Sequence, residues 1–175
     1  GHMYDLMPMP FTEQAANYVA DRVTQVQDIL QRPLILENVS TYASPGQEMS
    51  ELEFVTQVLK KADCKMLLDV NNVYVNSINH GFDSQHYINS LPTERIEYLH
   101  IAGHYDEAED LLVDTHGASI KTQVWDLLEL TYAKHGKLPT LLERDFNFPA
   151  MGELLAEINK IKEYQQGALH ERQLA

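Results

Sequence analysis

The chain has 175 residues, 44% hydrophobic and 22% charged, the balance of a soluble, globular, single-domain protein. Asp and Glu outnumber Lys and Arg by 26 to 13, for a formal net charge of −13, which argues against a surface built to neutralise nucleic-acid phosphates. The one cysteine, Cys64, rules out an internal disulfide framework and a cysteine-rich zinc site; no apolar run approaches the ~18 residues of a membrane span, no signal-peptide pattern opens the chain, and a cytoplasmic location is expected.

Pro8 and Pro10 punctuate the entry. Thr12 is a candidate N-cap with Glu13 in the first turn, where a carboxylate suits the helix dipole. Ala15, Tyr18, Val19, Val23, Val26, Ile29 and Leu30 fall on helical spacing, which predicts a helix over 13–31 that Arg32-Pro33 stops. The short run Leu34-Ile35-Leu36 then reads as a strand buried on both faces, ending in Glu37-Asn38. Ser50 and Glu53 have capping-box spacing for a helix over 51–61. A second strand, Met66-Leu67-Leu68, ends in Asp69, and a polar stretch with Asn71, Asn72, Asn76, Asn79 and Gly81 follows. Next come a helix over 83–90, a strand over 96–101 carrying His100, and a loop with Gly103, His104, Asp114 and His116. A helix over 120–135, the strand Thr140-Leu141-Leu142 ending in Glu143, and a helix over 150–164 complete the pattern, with a polar tail over 165–175. Alternation of helix with short apolar strand predicts an α/β fold with a parallel sheet and helical crossovers, here as one domain over 1–164.

The polar residues carry the chemistry. Glu37, Asp69, His100 and Glu143 each close an apolar strand, and in a parallel sheet all such ends lie on one side, the active-site side of a closed barrel. Three carboxylates and an imidazole converging there repel one another unless a cation joins them; the donor set suits iron, manganese or zinc. Asp114 and His116, two apart on one side of an extended segment, form a second ligand pair, and Asn72, three beyond Asp69, is within reach of the same ion. His80 and His86 read as ordinary helix or loop residues, and His2, His135 and His170 as surface residues. Cys64 precedes a buried strand and reads as a packing residue. No Gly-X-Gly-X-X-Gly or Walker pattern supports nucleotide binding.

Seven ordered blocks together resemble one known family. They are Asp-Leu-Met-Pro-Met-Pro-Phe-Thr (5–12), Leu-Glu-Asn-Val-Ser (36–40), Leu-Leu-Asp-Val-Asn-Asn-Val-Tyr-Val-Asn (67–76), Asn-His-Gly-Phe-Asp (79–83), His-Ile-Ala-Gly-His (100–104), Asp-Thr-His (114–116) and Leu-Leu-Glu-Arg-Asp (141–145). The family is the multinuclear non-heme iron-dependent oxidases, which include the methanobactin-biosynthesis oxygenase and bufferin-type peptide-modifying enzymes. The resemblance implies a xylose-isomerase-like (β/α)8 TIM barrel, present here as an incomplete C-terminal part with about four parallel strands; the opening Gly1-His2-Met3 fits either a cloning scar or the middle of a longer protein.

By the same resemblance, Glu37 bridges two ions, and Asp69, His100 and Glu143 complete the shell of the central one. Asn72, Asp114 and His116 hold a further ion; Asn71 and His104 lie within matching motifs to which the resemblance assigns no role, and orienting the ligands from behind is one that suits them. Two histidines that the family draws from early strands have no counterpart here. The implied cofactor is iron, two or three ions in the intact fold, with zinc or manganese as substitutes. The implied reaction is oxidation of cysteine residues, or the backbone beside them, in small ribosomal precursor peptides presented by a partner protein. The segment alone is then expected to be inactive and to self-associate through its cut edges. Two other readings compete: another enzyme of the same barrel superfamily, a sugar isomerase or an abasic-site endonuclease, and a non-enzymatic truncated interaction module.

Overall fold

A computed structural model describes residues 7 and 9–174. The block 5–12 and His2 therefore fall partly or wholly outside the described residues, as does the side chain of His170. The order is α1 (Glu13–Leu30), β1 (Ile35–Glu37), α2 (Glu51–Ala62), β2 (Lys65–Asp69), α3 (Val70–His80), α4 (Ser84–Ser90), β3 (Ile96–Ile101), β4 (Tyr105–Ala108), β5 (Leu111–Val113), α5 (Thr122–His135), β6 (Thr140–Leu142) and α6 (Met151–Leu174). A single 3-10 turn, Thr93–Arg95, leads into β3.

The caps act as their residue types predict. Thr12 Oγ1 accepts from Ala15 N at 3.1 Å. Ser50 and Glu53 form a reciprocal capping box, with Ser50 N donating to Glu53 Oε2 at 2.8 Å. Four strands form one parallel sheet in the order β1-β2-β3-β6. Side chains alternate between its faces. Met66, Leu68, Leu99 and Ile101 lie on one face and are buried with Leu59, Val73, Ile88, Leu128 and Tyr132 from the helices. The wholly buried Cys64 joins that cluster, as a packing residue should. The opposite face carries Ile35, Leu67, Tyr98 and Leu141, with the four polar strand ends above them.

Five expectations differ from the structure. β1 is not buried on both faces: it is the sheet's edge, with Ile35 39% exposed and Leu36 half-buried. The asparagine-rich stretch after Asp69 is a helix, α3, because its amides are consumed by tertiary hydrogen bonds that outweigh their low helix propensity. The loop before Asp114 contains an antiparallel hairpin, β4–β5, packed on α3. α6 runs past 164 to Leu174. His135 is buried rather than on the surface: Nδ1 meets Thr93 Oγ1 at 2.7 Å and Nε2 meets the Ile88 carbonyl at 2.9 Å. On α1, Val23 is buried while Ile29 is 80% exposed. Among the described residues no helix is long and apolar enough to cross a membrane.

Candidate metal centre

Strand register brings the four strand-end residues together. Asp69 pairs with His100 across β2 and β3. Glu37 pairs with Leu67, two residues before Asp69 and so on the same face. Leu141 pairs with His100, and Glu143 lies two residues further on, its N–H donating to the Ile101 carbonyl at 2.9 Å. Glu37, Asp69, His100 and Glu143 each offer one donor atom, and the four atoms lie within 4.8 Å of one another. His100 Nδ1 is 3.1 Å from Glu143 Oε1 and 3.3 Å from Glu37 Oε1.

Asp69 is fully buried and divided between two tasks. Its Oδ1 accepts from Asn72 N at 2.7 Å and caps α3. Its Oδ2 is buried with no hydrogen-bond partner. Asn38 fixes the strand end by a reciprocal pair, Nδ2 to the Asp69 carbonyl and Oδ1 from Asp69 N, both 2.9 Å.

A second group adjoins the first through Glu143. His116 Nε2 is 2.7 Å from Asp114 Oδ1, and its Nδ1 is 3.4 Å from Glu143 Oε2 and 3.2 Å from Asp145 Oδ2. Asn71 Nδ2 donates to Asp114 Oδ1 at 2.8 Å, and Asn71 Oδ1 accepts from His104 Nδ1 at 2.7 Å. His104 thus holds the Asn71 amide in the orientation that donates to Asp114. Asn72 sits apart from these donors in its bonding: its Nδ2 donates to the Asn38 carbonyl at 2.9 Å and its Oδ1 accepts from Ser40 at 2.8 Å. Sequence reasoning missed Asp145 and Asn38. The signal for Asp145 was its place two residues beyond Glu143 in the block 141–145. That for Asn38 was its adjacency to Glu37.

The electrostatics are those of a site short of positive charge. Burial pushes Asp69 up to about 7, against the pull of the Asn72 N–H, and the neighbouring Asp114 and Glu37 add to the rise. Burial opposes protonation of His100, yet the Glu143 and Glu37 carboxylates overcome it and raise the imidazole to about 10. The Asp114 carboxylate, 2.7 Å from Nε2, raises His116 to about 9 despite burial. His100 in turn holds Glu143 below the usual carboxylate range. His104 is lowered to about 4, chiefly by burial and with Lys121 adding to the fall, against the pull of Asp106 and Asp114.

Protonated imidazoles supply the counter-charge here, and a divalent ion can take their place. Most of the buried side-chain atoms that lack a hydrogen-bond partner fit that exchange: Asp69 Oδ2, His100 Nδ1, His116 Nε2 and Glu143 Oε2 belong to the two adjoining groups, and His104 Nε2 and Arg144 Nε lie outside them. Buried polar atoms are normally satisfied, and a group of unsatisfied metal-donor types in one place could hold a cation.

Known sequences resemble the chain along most of its length. A sequence model of the family described as RiPP precursor modification enzyme MbnB/TglH/ChrH matches residues 1–166. A protein of Shewanella amazonensis is 64% identical over 169 residues, covering 97% of this chain and 61% of that protein. One of Shewanella loihica is 66% identical with the same coverage. One of Pseudomonas aeruginosa is 55% identical over 166 residues, covering 95% of this chain and 58% of that protein. All three carry only the name UPF0276 protein. The chain spans about 60% of the length of these relatives.

Proposed function

The chain belongs to the MbnB/TglH/ChrH family of RiPP precursor modification enzymes, and from that footing we propose that its strand-end cluster is the metal centre of an iron- and dioxygen-dependent oxidase acting on cysteine-containing ribosomal precursor peptides. The observation that carries this reading is the convergence of Glu37, Asp69, His100 and Glu143 within 4.8 Å on one face of a parallel sheet. The orphaned buried donors beside them support it.

In this reading Glu37, Asp69, His100 and Glu143 would hold one ion, Glu37 would also serve a neighbouring ion, and Asp114, His116 and Asn72 would hold a further one. Bound iron with open positions supplies oxygen activation, chemistry that side chains lack; the donor set also accepts manganese or zinc.

The chain's own residues do the rest. Asn38 and the α3 cap keep Asp69 aimed at the centre. Asp145 faces His116 Nδ1, which favours a proton there and leaves Nε2 free to ligate beside Asp114. His104 fixes Asn71, and Asn71 fixes Asp114.

The four strands form an arc of a (β/α)8 barrel in this account, and the unpaired outer edges of β1 and β6 are where its remaining strands join or where separate copies associate. The precursor peptide, a protein that presents it, and a cytoplasmic setting complete the proposal. This segment alone is inactive, since two histidine ligands come from other strands. The family match favours this function over a sugar isomerase or an abasic-site endonuclease.

The test is oxygen uptake and peptide mass change by a full-length relative loaded anaerobically with iron(II) and given its cysteine-containing precursor. Peptide-dependent oxygen uptake, lost in the variant equivalent to His100→Ala, supports the function. Iron-independent turnover, or none with bound iron and peptide, contradicts it.

A further inference from the structure

A separate cavity of about 330 Å3 opens at the N-terminus of α2, bounded by Phe11, Glu51, Phe82, Asp83, His86 and Tyr87 among others. Its size falls within the ~300–1,000 Å3 of small-ligand pockets. Glu51, the first residue of α2, is one of two carboxylates in the wall, with Asp83. Its Oε1 accepts from the Tyr87 hydroxyl at 3.1 Å and its Oε2 from Asn76 Nδ2 at 3.0 Å. Both donors are neutral, and among the described residues no lysine or arginine lines the cavity. A carboxylate largely withdrawn from water without a cation is costly, and burial raises Glu51 to about 7.

Aromatic rings make up much of the rest of the wall, with the imidazoles of His80 and His86 and the Asp83 carboxylate beside them. Phe82 and Tyr87 stack at 5.5 Å between ring centroids, and Phe11 packs on Phe54 at 4.9 Å. An anion would be repelled by Glu51 and Asp83. A wholly apolar ligand would bury Glu51 further without compensating it. A cationic head on an apolar stem meets both needs, pairing with the carboxylate while its methylenes and charge rest against ring faces.

We propose that this cavity binds an alkylammonium group, with the ammonium on Glu51 and the unbranched stem against Phe11, Phe82 and Tyr87. The site is independent of the metal centre's function, though it borders the loop that follows Glu37. Asn76, which donates to Glu51, also donates to the Val39 carbonyl at 2.9 Å and accepts from Thr41 N at 2.9 Å. A lysine side chain of a peptide and a free amine share this chemistry.

The chain is titrated at pH 8 with three probes: Nα-acetyl-lysine methylamide, its norleucine counterpart, and 1,5-diaminopentane. Calorimetry and the ring NMR signals of Phe11, Phe82 and Tyr87 report binding, with Trp125 as a distant control. The expected result is saturable binding of the lysine derivative or the diamine, none of the norleucine compound, and at least a tenfold loss in Glu51→Gln. Tighter binding of the lysine derivative assigns the site to a peptide side chain; tighter binding of the diamine assigns it to a free amine. Equal binding of the lysine and norleucine compounds, no saturable shift of the three rings, or undiminished affinity in a folded Glu51→Gln protein overturns the proposal. If Glu51→Gln fails to fold, the lysine-to-norleucine comparison on the unaltered chain decides.

Discussion

Replacing Asp69 by Asn should make the metal-free chain more stable at pH 8 while destroying its metal affinity. Asp69 is fully buried, and its folded value of about 7 lies well above the ordinary 3.8. A carboxyl raised in this way favours the folded state only when protonated. Its contribution is therefore intact below the unfolded value of 3.8, falls as pH rises between 3.8 and 7, and is a full penalty above 7. Three pKa units correspond to about 4 kcal/mol at most. The imidazolium groups of His100 and His116 lose part of their own stabilisation when Asp69 goes, so the net gain expected is about 2 kcal/mol. Asn keeps an oxygen to accept from Asn72 N, so the α3 cap survives. Asp69→Ala lacks that oxygen and gives back about 1 kcal/mol. Urea unfolding of both variants and the parent, each in chelator at pH 4 and pH 8, measures the difference. The gain should be present at pH 8 and largely absent at pH 4. An Asp69→Asn protein less stable than the parent at pH 8 would refute the claim that this carboxylate is held against its own preference.

Three other outcomes follow from the geometry. Filling both groups with divalent ions at pH 8 should release about two protons, from His100 at about 10 and His116 at about 9; calorimetry in buffers of different ionisation enthalpy reads the number, which should fall as pH rises past these values. Gly103→Ala should cost about 1–3 kcal/mol in unfolding experiments and lower metal affinity, because a Cβ there meets the backbone carbonyls of Ala118 and Ser119 and displaces the segment carrying His116. His135→Ala should cost about 2 kcal/mol, since it opens a cavity and strands the Ile88 carbonyl; elemental analysis of the folded variant should nonetheless find the parent's metal content.

Some of this structure was legible in the sequence and some was not, for identifiable reasons. Glu37, Asp69, His100 and Glu143 each follow a short apolar run, and a parallel sheet with period-two side chains leaves little freedom about where such residues go. The helix at 51–62 announces itself through Ser50 and Glu53. α3 does not, because Asn71, Asn72 and Asn76 are poor helix formers whose value lies in what they bond across the fold. The β4–β5 hairpin turns through Glu109-Asp110, without the Asn-Gly or Asp-Gly that marks such turns. β1 reads as a buried strand, but its edge position is a fact of sheet order that no local pattern encodes. His135 lies at the end of a helix, and only tertiary contact with Ile88 and Thr93 makes it an interior residue.

The central claim is that Glu37, Asp69, His100 and Glu143 bind one ion together. Crystals of the chain grown anaerobically with iron(II), with anomalous data collected at the iron edge, test it directly. The account predicts an anomalous peak about 2.0–2.3 Å from an oxygen of each carboxylate and a ring nitrogen of His100. Iron bound elsewhere, with these four side chains empty of metal or turned away from one another, would contradict it.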